Sequence, residues 1–191
     1  MRTKQKLFNS NLLTEEDAQS ADFFKDLQEL GATEKDYQRI EENLRKRWGS
    51  KPKSDDVVWG VSNYLIMNPP ISADDYNPQI SRLQHAKQVS FVQALYLVKK
   101  GKDPTACLRD SRNLDVKISQ LQDIGITHLV IETNGCCKNC SKYQGEKYSL
   151  EQLETSPILP IKGCTHKLSP ESKYSWCTCC YSPDTSVWLN K

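Results

Sequence analysis

Residues 125–140, GITHLVIETNGCCKNC, mark the point at which the chain changes character. Upstream of Gly125, apolar side chains recur at three- and four-residue steps, the period of amphipathic helices. From Ile126 to Thr133 the run is short and rich in β-branched residues, which predicts a strand. Asn134-Gly135 is a turn dipeptide, and Cys136, Cys137 and Cys140 follow it directly. The stretch therefore reads as a strand that delivers a cysteine knuckle at the tip of a β-turn.

Working back from Gly125, about five helices are expected. Thr14 caps the first, with Glu15, Glu16 and Asp17 at the positive end of its dipole and Phe23, Phe24, Leu27 and Leu30 along its buried face. Thr33 opens the second, whose Tyr37, Ile40, Leu44 and Trp48 form a stripe that Gly49 ends; Trp48 and Trp59 read as core anchors. After the polar hinge Ser50-Lys51-Pro52-Lys53, Ser54 or Asp55 caps the third, with Val57, Val58, Val61, Tyr64 and Leu65 facing inward, and Asn68-Pro69-Pro70 stops it. The fourth covers Pro78 to Lys100 with Ile80, Leu83, Phe91, Ala94, Leu95 and Val98 buried. The fifth follows Asp103-Pro104, where Asp103 caps and Pro104 takes the first helical position, with Leu114, Ile118, Leu121 and Ile124 buried.

Working forward, Gly145 to Tyr148 reads as the return strand, and Ser149-x-x-Gln152 as a capping box on a very short helix. Pro157 to Ile161 is extended by proline geometry and delivers Cys164; Cys177, Cys179 and Cys180 then precede a polar tail.

Seven of the eight cysteines thus lie in the last third. A structural zinc ion takes four sulfur or nitrogen ligands in a closed tetrahedron at about 2.3 Å. Cys137 and Cys140 have the C-x-x-C gap that lets both sulfurs reach one ion, and Cys136 is a less typical partner. The other half comes from Cys164, His166, Cys177, Cys179 and Cys180, of which adjacent Cys179 and Cys180 diverge. The expected set is Cys137, Cys140, Cys164 and Cys179, with Cys177 the alternate for the last place. A catalytic site would keep an open position, written here as Cys137, Cys140 and His166 with Glu132 as acid or base. Nucleobase deaminases need H-x-E ahead of P-C-x-x-C, which this chain lacks. Lone Cys107 reads as a small apolar core residue.

The stretches 129–150 (LVIETNGCCKNCSKYQGEKYSL), 156–166 (SPILPIKGCTH) and 176–181 (WCTCCY) resemble the C-terminal metal-binding module of the phage Mu F-like family of minor head, or head-morphogenesis, proteins. Cys137 and Cys140 match its knuckle, and Gly145, Lys147 and Tyr148 its glycine–aromatic segment. Pro157 to Pro160 match its proline run, Cys164 its His/Cys position, and Cys177 with Cys179 its C-x-C. The resemblance covers about residues 129–181. Thr178 stands where the family has arginine, and twelve residues separate Cys164 from Cys177. It implies a metal-clamped module and a phage-derived or mobile-element origin.

Composition bounds the function. A net charge of +2 gives no electrostatic case for a dedicated nucleic-acid binder, and no apolar run is long enough for a signal peptide or a membrane span. The expected compartment is cytoplasmic, where clustered thiols hold metal rather than disulfides. No Gly-rich phosphate loop or Ser/His/Asp set appears, and no small-molecule substrate is indicated. The expected architecture is α+β: a helical domain over 1–125 and a β-rich module over 126–191 clamped by one structural zinc ion. Its expected role is non-enzymatic, through a protein partner. A nucleic-acid-binding zinc protein, using Lys138, Lys142, Tyr143, Lys147 and Tyr148, is the alternative, and a zinc-dependent hydrolase the third reading.

Overall fold

Residues 14–72, 74–122, 125–133 and 137–186 are described by the computed structural model of the chain. They form seven helices and three strands and divide into two units, Met1–Pro70 and Ile71–Lys191. The class is α+β, mostly helical with a small antiparallel sheet near the C-terminal end.

The first unit holds α1 (Glu15–Glu29), α2 (Glu34–Trp48) and α3 (Ser54–Met67). Thr14 caps α1 by accepting from the Asp17 amide, and Thr33 with Asp36 forms a reciprocal capping box on α2. Phe23, Phe24, Leu27, Tyr37, Val57, Val58, Val61 and Leu65 make the core, with the Phe24 and Tyr37 rings edge to face at 5.1 Å.

Two expectations change here. Neither Ser54 nor Asp55 caps α3: Lys53 holds that position without a side-chain bond, while the Ser54 hydroxyl donates across to Asp17 (2.9 Å) and Asp55 accepts from Ser20 (3.2 Å). Ser54 thus bonds between helices rather than along its own, while the Ser20 hydroxyl reaches both Asp55 and the Glu16 carbonyl of its own helix (2.9 Å). Trp48 is not a core anchor, being 48% exposed. Gly60 on α3 faces Ile40 on α2, and a Cβ on Gly60 would lie 2.6 Å from Ile40 Cγ2. Trp48 sits two turns, about 12 Å, further along, as the last residue of α2. Gly60→Ala is therefore expected to destabilise by about 1–3 kcal/mol through overpacking. Trp48→Ala should cost less than about 1 kcal/mol, against about 3–5 for a buried tryptophan. Urea denaturation of the two variants checks the order.

The second unit begins with α4 (Pro78–Lys99) and α5 (Thr105–Leu121). Their buried faces include Ala94, Val98 and Ile118 as expected and otherwise follow different residues. On α4 they run through Ala86, Val89, Ser90, Gln93, Ala94, Tyr96 and Val98, and on α5 through Cys107, Leu108, Ser111, Arg112, Val116, Ile118 and Ser119. Pro104 rather than Asp103 is the N-cap of α5, and the Asp103 carboxylate accepts from the amide and hydroxyl of Thr105. Of the expected residues, Ile80, Leu83, Leu95 and Leu114 are half-buried, Phe91 and Leu121 are exposed, and Ile124 lies outside the described residues. Small side chains on the facing sides let helices approach closely and leave the larger ones to flank the contact. Phe91 does so by setting its ring edge-on to buried Trp176 at 5.1 Å.

Beyond α5 come β1 (His128–Glu132), α6 (Lys138–Ser141), β2 (Lys147–Ser149), α7 (Leu150–Thr155) and β3 (Cys180–Pro183). The sheet order is β2-β1-β3, all antiparallel, with Leu129 opposite Tyr148 and Ile131 opposite Tyr181. β1 alternates as a half-buried strand should: Leu129 and Ile131 are fully buried, His128 and Glu132 exposed. The expected return strand is β2, and Ser149 with Gln152 forms the expected capping box on α7. β3 was not anticipated, because a four-residue edge strand ending in proline carries little alternation.

The boundary expected at Gly125 falls inside the second unit, since Val116 of α5 shares one apolar core with Ile126, Leu129, Ile131, Leu153, Leu159 and Tyr181. Tyr181 also fixes the proline-rich run, its phenol oxygen accepting from the amides of Ile158 (3.1 Å) and Leu159 (3.0 Å). Tyr181→Phe would leave the buried Leu159 amide unpaired and is expected to destabilise this unit by about 1–3 kcal/mol, read as a lowered melting temperature of the metal-loaded protein.

Candidate metal centre

The cysteines are brought together by three separate pieces of chain. Cys137 is the N-cap of one-turn α6, and its sulfur accepts the Cys140 amide at 3.4 Å, the local geometry of a C-x-x-C knuckle. Cys164 follows a turn that needs a left-handed residue, supplied by Gly163 at φ +79°. Asn139 ties knuckle to turn, donating from Nδ2 to the Gly163 carbonyl at 2.7 Å. Cys177 and Cys179 arrive on the approach to β3, where the Ile161 amide donates to the Cys177 sulfur at 3.4 Å.

These five sulfurs sit within the apolar core of the second unit: Cys140, Cys164, Cys177 and Cys179 are buried and Cys137 half-buried. Among the described residues their donor atoms converge as two groups of three, Cys137/Cys140/Cys164 and Cys140/Cys177/Cys179, each within 4.8 Å throughout. Cys140 is common to both. Such groups of soft donors can hold a metal ion.

The thiols differ in how readily they ionise. Burial pushes Cys137 up, but the amides of Thr165 and Cys140, together with their side chains, donate to its sulfur and bring it down to about 6. Cys140 is driven the other way, by burial and by the sulfurs of Cys137, Cys164 and Cys179 around it. Burial likewise raises Cys164, to about 11, helped by the charges of Cys177 and Cys137. One thiolate is therefore ready to meet an ion near neutral pH, while two neighbours must surrender protons to it.

The remaining candidates fall outside these groups. Cys180 is on β3 opposite Glu132, half-buried, with its thiol raised by burial. Cys107 is buried in α5 and raised for the same reason, as a small apolar residue would be. Cys136 lies outside the described residues. His166 offers no ring nitrogen to either group; its backbone carbonyl accepts from the Trp176 amide at 2.8 Å. Glu132 is exposed at the end of β1. Of the basic and aromatic set, Tyr143 and Tyr148 pack on the core, and Lys147 pairs with Asp184 (2.8 Å) and Ser186 (3.0 Å). Lys138 and Lys142 stay exposed. No helix among the described residues is long and apolar enough to cross a membrane.

Fold and site together define an α+β chain whose sheet-bearing second unit carries a buried cysteine cluster able to coordinate metal. No protein family matches the chain, and neither a curated protein nor a solved structure does.

Proposed function

We propose that the cluster binds one zinc ion in a closed, non-catalytic site, and that the metal-clamped end serves as a protein-interaction module. The observation that carries this reading is the convergence of five sulfurs on Cys140, more than enough to fill four positions and leave none for water. Cys137, Cys140 and Cys164 supply three ligands. Cys179 is the fourth, because its sulfur adjoins that of Cys140 as those of Cys137 and Cys164 do; Cys177 is the alternate. The amides of Cys140 and Ile161 offset part of the thiolate charge.

Contact with a protein is supported by what the clamp displays. The segment between Cys164 and Cys177 is closed at its base by the Trp176–His166 backbone bond and carries Leu168 44% exposed. Lys147 is neutralised by Asp184 and both tyrosines pack partly against the core, which leaves Lys138 and Lys142 as the exposed charges of the face considered for nucleic acid. A phage-derived origin remains a proposal resting on the cysteine and proline spacing. X-ray absorption at the zinc edge tests the site: four sulfurs at about 2.3 Å support it, and an oxygen or nitrogen ligand in the first shell overturns the closed form. Titration with a labelled oligonucleotide tests the role, since binding that falls steeply with salt would favour the nucleic-acid alternative.

A further inference from the structure

The sulfurs gather as two threes joined at one atom rather than as one four. That grouping has its own coordination chemistry. With a metal–sulfur bond of about 2.3 Å, three sulfurs around an ion in a trigonal plane lie about 4.0 Å apart. A spacing of that size falls inside the 4.8 Å within which the sulfurs of each triad lie, and the triads share only Cys140. Soft thiolates favour Cu(I) alongside zinc and iron–sulfur clusters, and of these Cu(I), a soft, closed-shell, singly charged ion, suits a trigonal set of three sulfurs.

We infer that the cluster also accepts a pair of Cu(I) ions, one held by Cys137, Cys140 and Cys164 and one by Cys140, Cys177 and Cys179, with the Cys140 thiolate bridging them. This rests on the reading of these thiols as metal ligands, and not on zinc being the resident ion. Each copper–sulfur bond replaces an S–H bond wherever the thiol is still protonated, the proton passing to solvent, and copper enters and remains as Cu(I). Access is built in: Cys164 from one triad and Cys177 from the other both line a cavity of about 370 Å³ walled by Thr105, Leu108, Lys162 and Tyr174. An ion entering there meets a ligand residue of either triad. Burial of four of the five sulfurs would then shield the bound ions from water and oxygen.

The test is anaerobic titration of the full chain with Cu(I) buffered by bathocuproine disulfonate, alongside a separate zinc titration. Two copper ions per chain, with copper–copper scattering in the X-ray absorption spectrum, are expected. Cys140→Ser should remove that scattering and lower the copper content to one or none, while Cys180→Ser keeps two. One copper per chain, or two without copper–copper scattering, overturns the proposal; the wild-type spectrum decides even where the Cys140 variant does not fold. One zinc with one copper would leave the zinc reading standing and this inference refuted. Two scattering coppers with no zinc would do the reverse.

Discussion

Cys140→Ala is expected to lower zinc affinity by more than about a hundredfold, beyond the 10- to 100-fold typical of losing an outer-shell partner. Cys107→Ala and Cys180→Ala should leave it within a few-fold. Cys140 belongs to both sulfur groups, is fully buried, and lies on the helical turn that also sets Cys137. Replacing it takes a donor from every four-sulfur arrangement centred there. Cys177 and Cys179 can each serve as the last ligand, so the loss on changing either one should be smaller. Competition with a chromophoric chelator measures the series. Equal losses across all five positions would contradict the hub role.

Lowering the pH from 8 to 6 is expected to weaken zinc binding by at least about two orders of magnitude per pH unit, one for each proton that Cys140 and Cys164 give up. The sign follows from the thiols themselves. Cys137, brought down to about 6, is already mostly thiolate at pH 7 and gives up little on binding. Cys140, raised by burial and by its sulfur neighbours, and Cys164, raised to about 11, still hold protons that the metal must displace. Affinity therefore rises with pH through this range. Below about pH 6 Cys137 also takes a proton and the dependence steepens. Proton release during zinc addition, read with a pH indicator in weak buffer, gives the count directly, and fewer than two protons at pH 7 would be at odds with this account.

Much of this was legible in the sequence, and the failures have common physical causes. Capping signals depend on one side chain and a three-residue spacing, so Thr14, Thr33 and Ser149 marked their helices correctly. The alternation of β1 was equally local. The buried face of α4 was legible only at Ala94 and Val98, because small or polar Ala86, Ser90 and Gln93 are also buried, and a search for large apolar residues selects exposed Phe91 instead. Trp48 differs for another reason: periodicity shows which face a residue occupies, not how deeply a residue at the very end of its helix is covered. The cysteines were conspicuous by spacing, but the sharing of Cys140 between two groups depends on how three distant segments fold together. So does the place of α5 in the sheet's core, which the change of pattern at Gly125 concealed.

The most direct test of the central claim is to purify the chain under reducing conditions, measure its metal by elemental analysis, and titrate its thiols before and after chelation. One zinc per chain, with four thiols shielded until the chelator is added, is the predicted result. A chain that carries no zinc when zinc is supplied, or whose thiols are paired in disulfides, would contradict it.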